Sequence, residues 1–383
     1  MVSFTLISHG VKLVLVTSCL MMGSSESAPV AGNKTVANSS NVTSDSFVLP
    51  SIIAERVIAP KVPVGNHNME KDAITKNLKW YEEHVGKANI TKRGGETVGG
   101  MTMDLPANAP PTPAITTSDA IYVASTAQVT EFKKYAGIAA TAYCRDVVPG
   151  TKWNCAQCLK YAPDGKLIKT FTSLISDTNG FVMRSDSQKT IYLVFRGTNS
   201  IRSAITDMVF DLAAYGPVSG AKVHRGFLAS YQQVVGSYFP VVQNQLTSYP
   251  TYKVIVTGHS LGGAQALLAA LDLYQRDKRF GPNNMSIFTV GCPRVGNPTF
   301  AYYVDSTNIP FSRSVNDRDI VPHLPPQAFG YLHPGVEAWA RSSTNVQICN
   351  SQIETSSCSN SIVPFTSIED HLTYYGINEG KCL

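Results

Sequence analysis

The chain has 383 residues, of which 43% are hydrophobic and 15% are charged. This is an ordinary globular composition, and the length allows one large core or two smaller ones. The formal net charge of +5 is small for this length, and Lys and Arg form no dense cluster. We therefore expect no nucleic-acid partner.

The N-terminus has the layout of a secretory signal peptide. Lys12 precedes an apolar run from Leu13 to Met22, and small residues follow up to Ala28. The run is too short to span a bilayer, and the alternative is the start of a buried helix. No other stretch is apolar enough to cross a membrane. We predict a signal peptide over residues 1–27 and a secreted, extracellular product.

Residues 28–117 differ in composition from the rest, being rich in Ser, Asn, Thr, Pro and Gly. Glycosylation sequons begin at Asn33, Asn38, Asn41 and Asn89. Lys92-Arg93 is a dibasic pair that predicts an endoprotease site, although an exposed charge pair is the alternative. The proline-rich stretch 108–113 predicts a stiff linker outside helices and strands. We interpret 28–117 as a pro-segment that assists folding and retards lipid damage.

The eight cysteines agree with an oxidising compartment. Cys19 lies in the predicted signal peptide, so seven remain and one should stay unpaired. Cys292 is the candidate, because it follows an apolar run, 287–290, that predicts a buried strand. Cys155 and Cys158 form a CxxC motif, which can be redox-active or half of a zinc site. With no second CxxC or His-rich partner, a short structural disulfide is favoured, and no metal is expected.

From about residue 118 to 383, short apolar runs alternate with helical patterns, which predicts an α/β sheet covered on both faces. The predicted strands are 190–195, 252–257, 286–290 and 311–315. The predicted helices are 126–143, 226–246, 264–274 and 298–304.

A candidate nucleophile lies between a predicted strand and a predicted helix. Gly258-His259-Ser260-Leu261-Gly262 fits the pattern G-x-S-x-G. In that context Ser260 sits on a tight turn, where only glycine fits two residues to either side. The free N–H groups at the helix start favour a developing anion. The alternative is an ordinary glycine-rich turn. His259 is a poor general base, because its side chain must point away on such a turn.

The order Ser, acid, His leaves three candidate bases: His323, His333 and His371. Asp317 and Asp319 follow the last predicted strand, and the apolar residues after Asp319 would help to bury it. A buried carboxylate orients an imidazole and stabilises its charged form. His323 lies close to Asp319 in sequence, and His333 fits a structural role equally well. We favour Asp319 and His371 and keep the others as alternatives.

Five motifs in this order closely resemble the fungal lipases of the Rhizopus and Rhizomucor type, and the Rhizopus lipases most. The motifs are Phe195-Arg-Gly-Thr198, Thr257-Gly-His-Ser-Leu-Gly-Gly-Ala264, Pro293-Arg-Val-Gly-Asn-Pro298, Arg318-Asp-Ile-Val-Pro-His323 and Asp370-His371. The resemblance covers residues 118–383 and includes the pro-segment layout. It implies an α/β-hydrolase fold, with a central mixed, mostly parallel sheet flanked by helices and a helical lid over the active site.

The resemblance also implies roles for individual residues. Ser260 would be the nucleophile, Asp319 the acid and His371 the base, and the backbone N–H groups of Thr198 and Leu261 would form the oxyanion hole. The implied disulfides are Cys144–Cys382, Cys155–Cys158 and Cys349–Cys358. Cys292 departs from the family pattern and would be a free thiol. The implied enzyme is a monomer without a cofactor that hydrolyses triacylglycerol through an acyl-enzyme.

The stretch Ser200–Leu212 predicts an amphipathic helix. Its apolar stripe consists of Ile201, Ala204, Ile205, Met208, Val209 and Leu212. Periodicity alone fits a surface helix packed on the core. The resemblance implies instead a mobile lid over residues 199–213. It would open at a lipid–water interface, because exposing apolar surface to water costs about 25 cal/mol per Å².

Two further assignments come from the resemblance. Asp207 would support Thr198 in the open form of the lid. The acyl groove would be lined by Phe210, Val321, Phe329 and Leu372. Feruloyl-type esterases and phospholipase A1 enzymes share the fold and remain alternatives, although the apolar stripe favours long acyl chains. An inactive binding module or a serine peptidase fits the intact motifs less well.

Overall fold

In a computed structural model of the chain, the described residues are 47–86, 97–173, 175–380 and 382. The predicted signal peptide, the dibasic pair Lys92-Arg93 and the sequons at Asn33, Asn38, Asn41 and Asn89 lie outside the described residues.

The described α-helices are α1 (Glu70–His84), α2 (Thr126–Ala140), α3 (Ala156–Tyr161), α4 (Ile201–Thr206), α5 (Arg225–Gln232), α6 (Val235–Ser248), α7 (Leu261–Arg276) and α8 (Pro298–Ser306). The strands are β1 (Thr97–Val98), β2 (Met101–Thr102), β3 (Ile121–Val123), β4 (Lys166–Thr172), β5 (Asn179–Ser185), β6 (Thr190–Phe195), β7 (Leu212–Ala214), β8 (Lys222–His224), β9 (Lys253–His259), β10 (Met285–Val290), β11 (Phe311–Asn316), β12 (Val336–Ala340), β13 (Val346–Cys349), β14 (Thr373–Tyr374) and β15 (Ile377–Asn378). Short 3₁₀ helices form at Ala54–Arg56, Thr141–Tyr143, Val321–His323, Gln327–Phe329, Ser359–Ile362 and Glu369–Leu372.

A nine-stranded sheet with the order β3-β13-β12-β11-β10-β9-β6-β5-β4 forms the centre of the molecule. The five strands from β12 to β6 pair in parallel, and both flanks are antiparallel. The predicted mixed sheet is therefore confirmed, with its parallel pairing confined to the central strands. Because parallel strands end at one edge, the loops after β6, β9, β10 and β11 converge there.

The strand β6 shows why helices cover both faces. Ile191, Leu193 and Phe195 pack into one core with α5, α6 and α7. Tyr192 and Val194, which point the opposite way, pack into a second core with residues of α2 and α3. A strand that is apolar at every position needs such cover on both sides. The predicted helices on both faces are thus present.

The single helix predicted over 226–246 is two helices. The chain closes tight i→i−3 hydrogen bonds where α5 ends, from Gln233 N to Ser230 O and from Val234 N to Tyr231 O. Val234 lies between the two helices and is the N-cap residue of α6, with φ −113°. The break lets Val234 and the start of α6 point into the main core, so tertiary burial overrides the local helical pattern.

The described part of the predicted pro-segment packs on the rest of the chain. The hairpin β1–β2 buries Val98 and Met101 in one cluster with Ile201 and Ile205 of α4. Asp104, just after the hairpin, forms a 2.7 Å ion pair with Arg202. Residues 108–113 form no helix or strand, as predicted. The hairpin therefore lies against the segment predicted to be the lid.

The described residues form three disulfides, which are the pairs that the resemblance implies: Cys144–Cys382, Cys155–Cys158 and Cys349–Cys358. Cys292 is unpaired and buried. Burial raises the pKa of its thiol to about 12, which makes the thiol unreactive. Within the described part of the chain, no helix has both the length and the apolar character needed to cross a membrane.

Candidate active site

Ser260 occupies the sharp turn between β9 and α7. Its φ of 58° and ψ of −131° are strained for a residue with a side chain. Its backbone N–H donates to Val290 O at 2.8 Å, which ties the turn to the end of β10. The residue is only 6% exposed. The turn thus holds the hydroxyl at the carboxyl edge of the sheet, directly before the N-terminus of α7.

The glycines on either side make this turn possible. A Cβ at Gly258 would lie 2.3 Å from Gly262 O, and one at Gly262 would lie 2.3 Å from Phe195 O. Both contacts involve backbone, which cannot move aside without shifting β6 or α7. The G-x-S-x-G spacing is therefore fixed by the close approach of strand and helix.

We expect Gly258→Ala to destabilise the protein by more than about 2 kcal/mol, because the added methyl group overlaps backbone atoms. The matched control is Gly236→Ala in α6, where the added Cβ would meet nothing within 4 Å. That change should stabilise by about 0.5 to 1 kcal/mol. Urea unfolding of both variants measures the difference, and equal stability would contradict this explanation of the motif.

Asp319 and His371 form a buried pair. His371 Nδ1 donates to Asp319 Oδ2 at 2.7 Å, and neither side chain is exposed. The other oxygen, Oδ1, accepts from Val321 N at 2.8 Å. The Tyr374 hydroxyl also donates to Oδ2. These donors fix the carboxylate, and the carboxylate in turn fixes the tautomer of the imidazole.

The remaining ring nitrogen of His371, Nε2, is buried and has no hydrogen-bond partner among the described residues. The ring lies against Gly291, where an added Cβ would be 2.7 Å from Cε1. Gly291 directly follows Val290, whose carbonyl binds the N–H of Ser260. The end of β10 therefore brings Ser260 and His371 to one place.

The alternative residues lie elsewhere. Asp317 is half-buried, and its backbone carbonyl oxygen accepts a hydrogen bond from Trp339 Nε1 at 2.8 Å. His333 Nε2 donates to Pro322 O at 2.9 Å, which is a structural role. His323 faces Glu70, with Nδ1 3.7 Å from its carboxylate. The structure pairs only Asp319 and His371 among these candidates.

Sequence reasoning missed two tyrosines at this site. Tyr374 donates to Asp319, as described above. The Tyr143 hydroxyl lies 2.8 Å from His259 Nδ1, and His259 Nε2 donates to His371 O at 3.0 Å. Burial, and then the nearby His371, lowers the pKa of His259 well below its usual value. A neutral His259 thus links Tyr143, in the 3₁₀ helix after α2, to the backbone of His371, which no local sequence pattern could indicate.

A cavity of about 560 Å³ adjoins Ser260. Thr198 and Leu261, the predicted oxyanion-hole residues, line it together with Val321. Asp207 and other residues of the predicted lid close one side. The lining is mainly apolar, as expected of a site for a hydrocarbon chain.

The helix in the predicted lid is shorter than predicted. The helix α4 ends at Thr206, and Asp207 leaves helical geometry with ψ 5°. Leu212 instead begins β7, where it pairs with His224. The last residue of the predicted apolar stripe, Leu212, therefore lies in a strand and not in the lid helix. Within α4, Ile201 and Ile205 point inwards and are 8% and 3% exposed.

The predicted lid residues after α4 are more exposed than Ile201 and Ile205. Met208 and Phe210 are half-buried, whereas Val209 is 70% exposed. The rings of Phe210 and Phe329 are 5.0 Å apart. An exposed valine beside an aromatic pair gives this part of the molecule an apolar surface.

The four predicted acyl-groove residues are not gathered in one cavity. Val321 is buried and lines the cavity at Ser260. Phe329 and Leu372 are 52% and 39% exposed. Leu372 lines a separate cavity of about 440 Å³, which also reaches Thr198. Their assignment to one groove stays a prediction.

Two groups of described residues bring possible metal ligands close together. The candidate groups are Cys144 with Cys155 and Cys382, and Glu337 with Cys349 and Cys358. All of these cysteines are in disulfides, so they supply no thiolate ligand.

Asp370, next to His371, should make stability depend on pH. Burial, and then the neighbouring Asp317 and Asp319, raises the pKa of Asp370 to about 6. A folded pKa above the unfolded value means that stability is lost as pH rises from about 4 to about 6. After allowance for solvent screening, Asp370→Asn should stabilise by about 1 kcal/mol at pH 8 and by little at pH 4. Urea unfolding at both pH values tests this against the exposed neighbour control Glu369→Gln, and equal gains at both pH values would contradict it.

The sheet order, the strained serine turn and the buried Asp–His pair define an α/β hydrolase. A family model for class 3 lipases matches residues 192–329. The chain is 62% identical to a lipase of Rhizopus oryzae over the full length of both chains. It therefore belongs to the class 3 lipases and is a carboxylic ester hydrolase.

Solved structures agree with this assignment. A Rhizomucor miehei lipase solved as a propeptide complex is 47% identical, with a TM-score of 0.77 over 88% of this chain and all of that chain. A triacylglycerol lipase whose catalytic centre is described as a serine protease triad is 55% identical, with a TM-score of 0.67 over 69% of this chain and all of that chain. The α/β-hydrolase fold predicted from the sequence is thereby confirmed.

Proposed function

We propose that the protein is a secreted lipase that hydrolyses triacylglycerol, with Ser260 as nucleophile, His371 as general base and Asp319 as its orienting acid. One observation supports this most directly. His371 donates one nitrogen to Asp319 and leaves Nε2 buried and unbonded at the end of β10 that also holds Ser260. An imidazole in that state is ready to accept a proton from a hydroxyl.

The reaction follows from these positions. His371 Nε2 takes the proton of Ser260 as the oxygen attacks the ester carbonyl. The tetrahedral oxyanion is stabilised by the backbone N–H groups of Thr198 and Leu261, worth roughly 3 kcal/mol each. His371 then protonates the leaving alcohol, which gives an acyl-enzyme. A water activated by the same nitrogen releases the fatty acid.

The lid makes this activity depend on an interface. In the closed position, Ile201 and Ile205 are buried, and Ser260 is only 6% exposed. Turning these side chains into water is unfavourable, at about 25 cal/mol per Å². At a lipid surface that cost disappears, so the open form becomes populated where the substrate is. Asp207 is proposed to support Thr198 in that open form.

The domain boundaries belong to the same proposal. Residues 1–27 are the signal peptide, 28–117 the pro-segment and 118–383 the catalytic domain, which acts as a monomer outside the cell. The packing of β1–β2 against α4 and the Asp104–Arg202 ion pair support a pro-segment that restrains the lid. The proposed role is to assist folding and to protect cellular lipids.

The test is the rate of ester hydrolysis on either side of the substrate's solubility limit. We expect a sharp rise when a triglyceride forms an emulsion, because only then does the lid open. A soluble short-chain ester that stays monomeric serves as the control. Equal or higher rates on soluble aromatic esters would contradict the proposal in favour of an esterase. A preference for phospholipid vesicles would instead indicate a phospholipase.

A further inference from the structure

The first turn of α1 inserts a charged side chain into the body of the protein. Glu70 is 1% exposed, although it lies in the segment proposed to be a pro-segment. Its Oε1 accepts from Arg294 Nη2 at 2.6 Å, and its Oε2 accepts from the backbone N–H of Gln327 at 3.0 Å. An uncompensated buried carboxylate is very costly, so these contacts decide whether α1 can dock.

The contact with Gln327 is reciprocal. The N-cap residue of α1, Met69, supplies no side-chain hydrogen bond to the helix end. Instead, Gln327 Oε1 accepts the N–H of Glu70 at 3.0 Å, while Glu70 Oε2 accepts the N–H of Gln327. This is the pattern of a capping box formed between segments 257 residues apart. The rest of the chain thus supplies the cap that α1 lacks.

Arg294, which binds Glu70, is also held by residues outside the proposed pro-segment. Arg294 is completely buried and binds Glu354 through two hydrogen bonds, of 2.8 and 2.9 Å. Its Nη1 donates to His323 O and Pro325 O. These partners all lie in the proposed catalytic domain, so they orient the guanidinium whether or not α1 is present.

The same site has polar groups that no partner satisfies. Gln327 Nε2 and both ring nitrogens of His323 are buried without a hydrogen bond among the described residues. His323 Nδ1 is 3.7 Å from Glu70 Oε1. Burial alone would raise the pKa of Glu70, but Arg294 and then His323 lower it overall, so the carboxylate is ionised. The pocket therefore offers donors to an anion.

We propose that the catalytic domain carries a receptor for one carboxylate, formed by Arg294, Gln327 and His323, and that Glu70 is the group it recognises in α1. The receptor would hold the first turn of α1 against the catalytic domain through a charged side chain. The contact between Glu70 and Gln327 also lies next to the predicted lid. Gln327 and Phe329 belong to one 3₁₀ helix, and the ring of Phe329 packs against Phe210.

Hydrogen exchange of the full-length protein tests the proposal, read at the amides of α1. We expect Glu70→Gln to speed exchange roughly 10- to 100-fold, because the amide cannot replace the charge beside Arg294. The matched control is Glu82→Gln, which makes the same charge change on the exposed side of α1. It should exchange like the unmodified protein.

A second variant tests the chemistry of the pocket. Glu70→Ala leaves room for a small anion, so sodium acetate at about 0.1 M should restore protection of α1, whereas sodium chloride at equal ionic strength should not. Equal exchange in the unmodified protein, Glu70→Gln and Glu82→Gln would overturn the proposal. So would rapid exchange in Glu70→Ala that acetate does not slow. No substrate is present, so either failure leaves the proposed lipase function untouched.

Discussion

Replacing Ser260 with alanine should lower kcat on an emulsified triglyceride by about six orders of magnitude, because no acyl-enzyme can form without the hydroxyl. The side chain lies on a turn whose backbone is held by Val290 and by the neighbouring glycines. The thermal unfolding midpoint should therefore be unchanged. Titration of released fatty acid measures the rate, and calorimetry measures the stability.

The matched control for this prediction is Ser248→Ala. Ser248 ends α6 on the surface and takes no part in the proposed site. Its variant should keep full activity. Substantial hydrolysis by Ser260→Ala, with folding intact, would show that another residue carries the nucleophile and would remove the basis of the mechanism.

Replacing Asp319 with asparagine should lower kcat by roughly 10⁴-fold. The amide can occupy the same space, between Val321 N and the Tyr374 hydroxyl. It cannot stabilise a charged imidazolium, and its N–H₂ group favours the wrong tautomer of His371. The expected signature is a fall in kcat with little change in the apparent affinity for the interface.

Asp317→Asn separates this effect from a general loss of carboxylate charge near the base. Asp317 precedes Asp319 by two residues, but the His371 ring bonds to Asp319 through Nδ1, and its Nε2 has no hydrogen-bond partner among the described residues. The Asp317→Asn variant should therefore retain wild-type kcat. A large loss in Asp317→Asn together with an active Asp319→Asn would reverse the assignment of the two acids.

The four strands β6, β9, β10 and β11 could be predicted closely from the sequence, whereas β3, β4, β5, β12 and β13 of the same sheet were not predicted. The strand β6 has the predicted bounds, and β9, β10 and β11 differ by only one or two residues at their ends. The strand β6 is a continuous apolar run, and β9 and β10 contain shorter apolar runs, because both faces of the sheet are covered by helices. The strand β11, by contrast, carries Ser312, Arg313 and Ser314 between its apolar residues. Because a strand buried on both faces is apolar at successive positions, it can be predicted from a single sequence.

The lid helix and the helix after β8 could not be predicted as well. Apolar spacing continues past Thr206, but pairing of Leu212 with His224 draws the chain into β7. Similarly, Val234 leaves the helix to enter the core. In both places a contact between distant parts of the chain overrides the local helical preference. Such contacts cannot be predicted from the spacing of neighbouring residues.

The same reasoning applies to the candidate site. Ser260 was identified from its own motif, because steric limits act on the neighbouring glycines. Asp319 and His371 needed the family resemblance for a choice among rivals. The contributions of Tyr143, Tyr374 and Glu70 depend on segments that meet only in the folded chain, so no spacing rule could have found them.

The disulfide between Cys144 and Cys382 encloses Ser260, Asp319 and His371 within one covalent loop. The segment that carries His371 contains β14 and β15, which pair with each other, and it contacts the rest of the protein through hydrogen bonds to Asp319 and His259. Production in a reducing cytoplasm would leave the segment that carries His371 without the Cys144–Cys382 disulfide. Such material would keep its sheet and its serine turn, yet much of it would lack a correctly seated imidazole. Yield of folded protein and yield of active enzyme would then diverge, which makes thiol oxidation the step to control in manufacture.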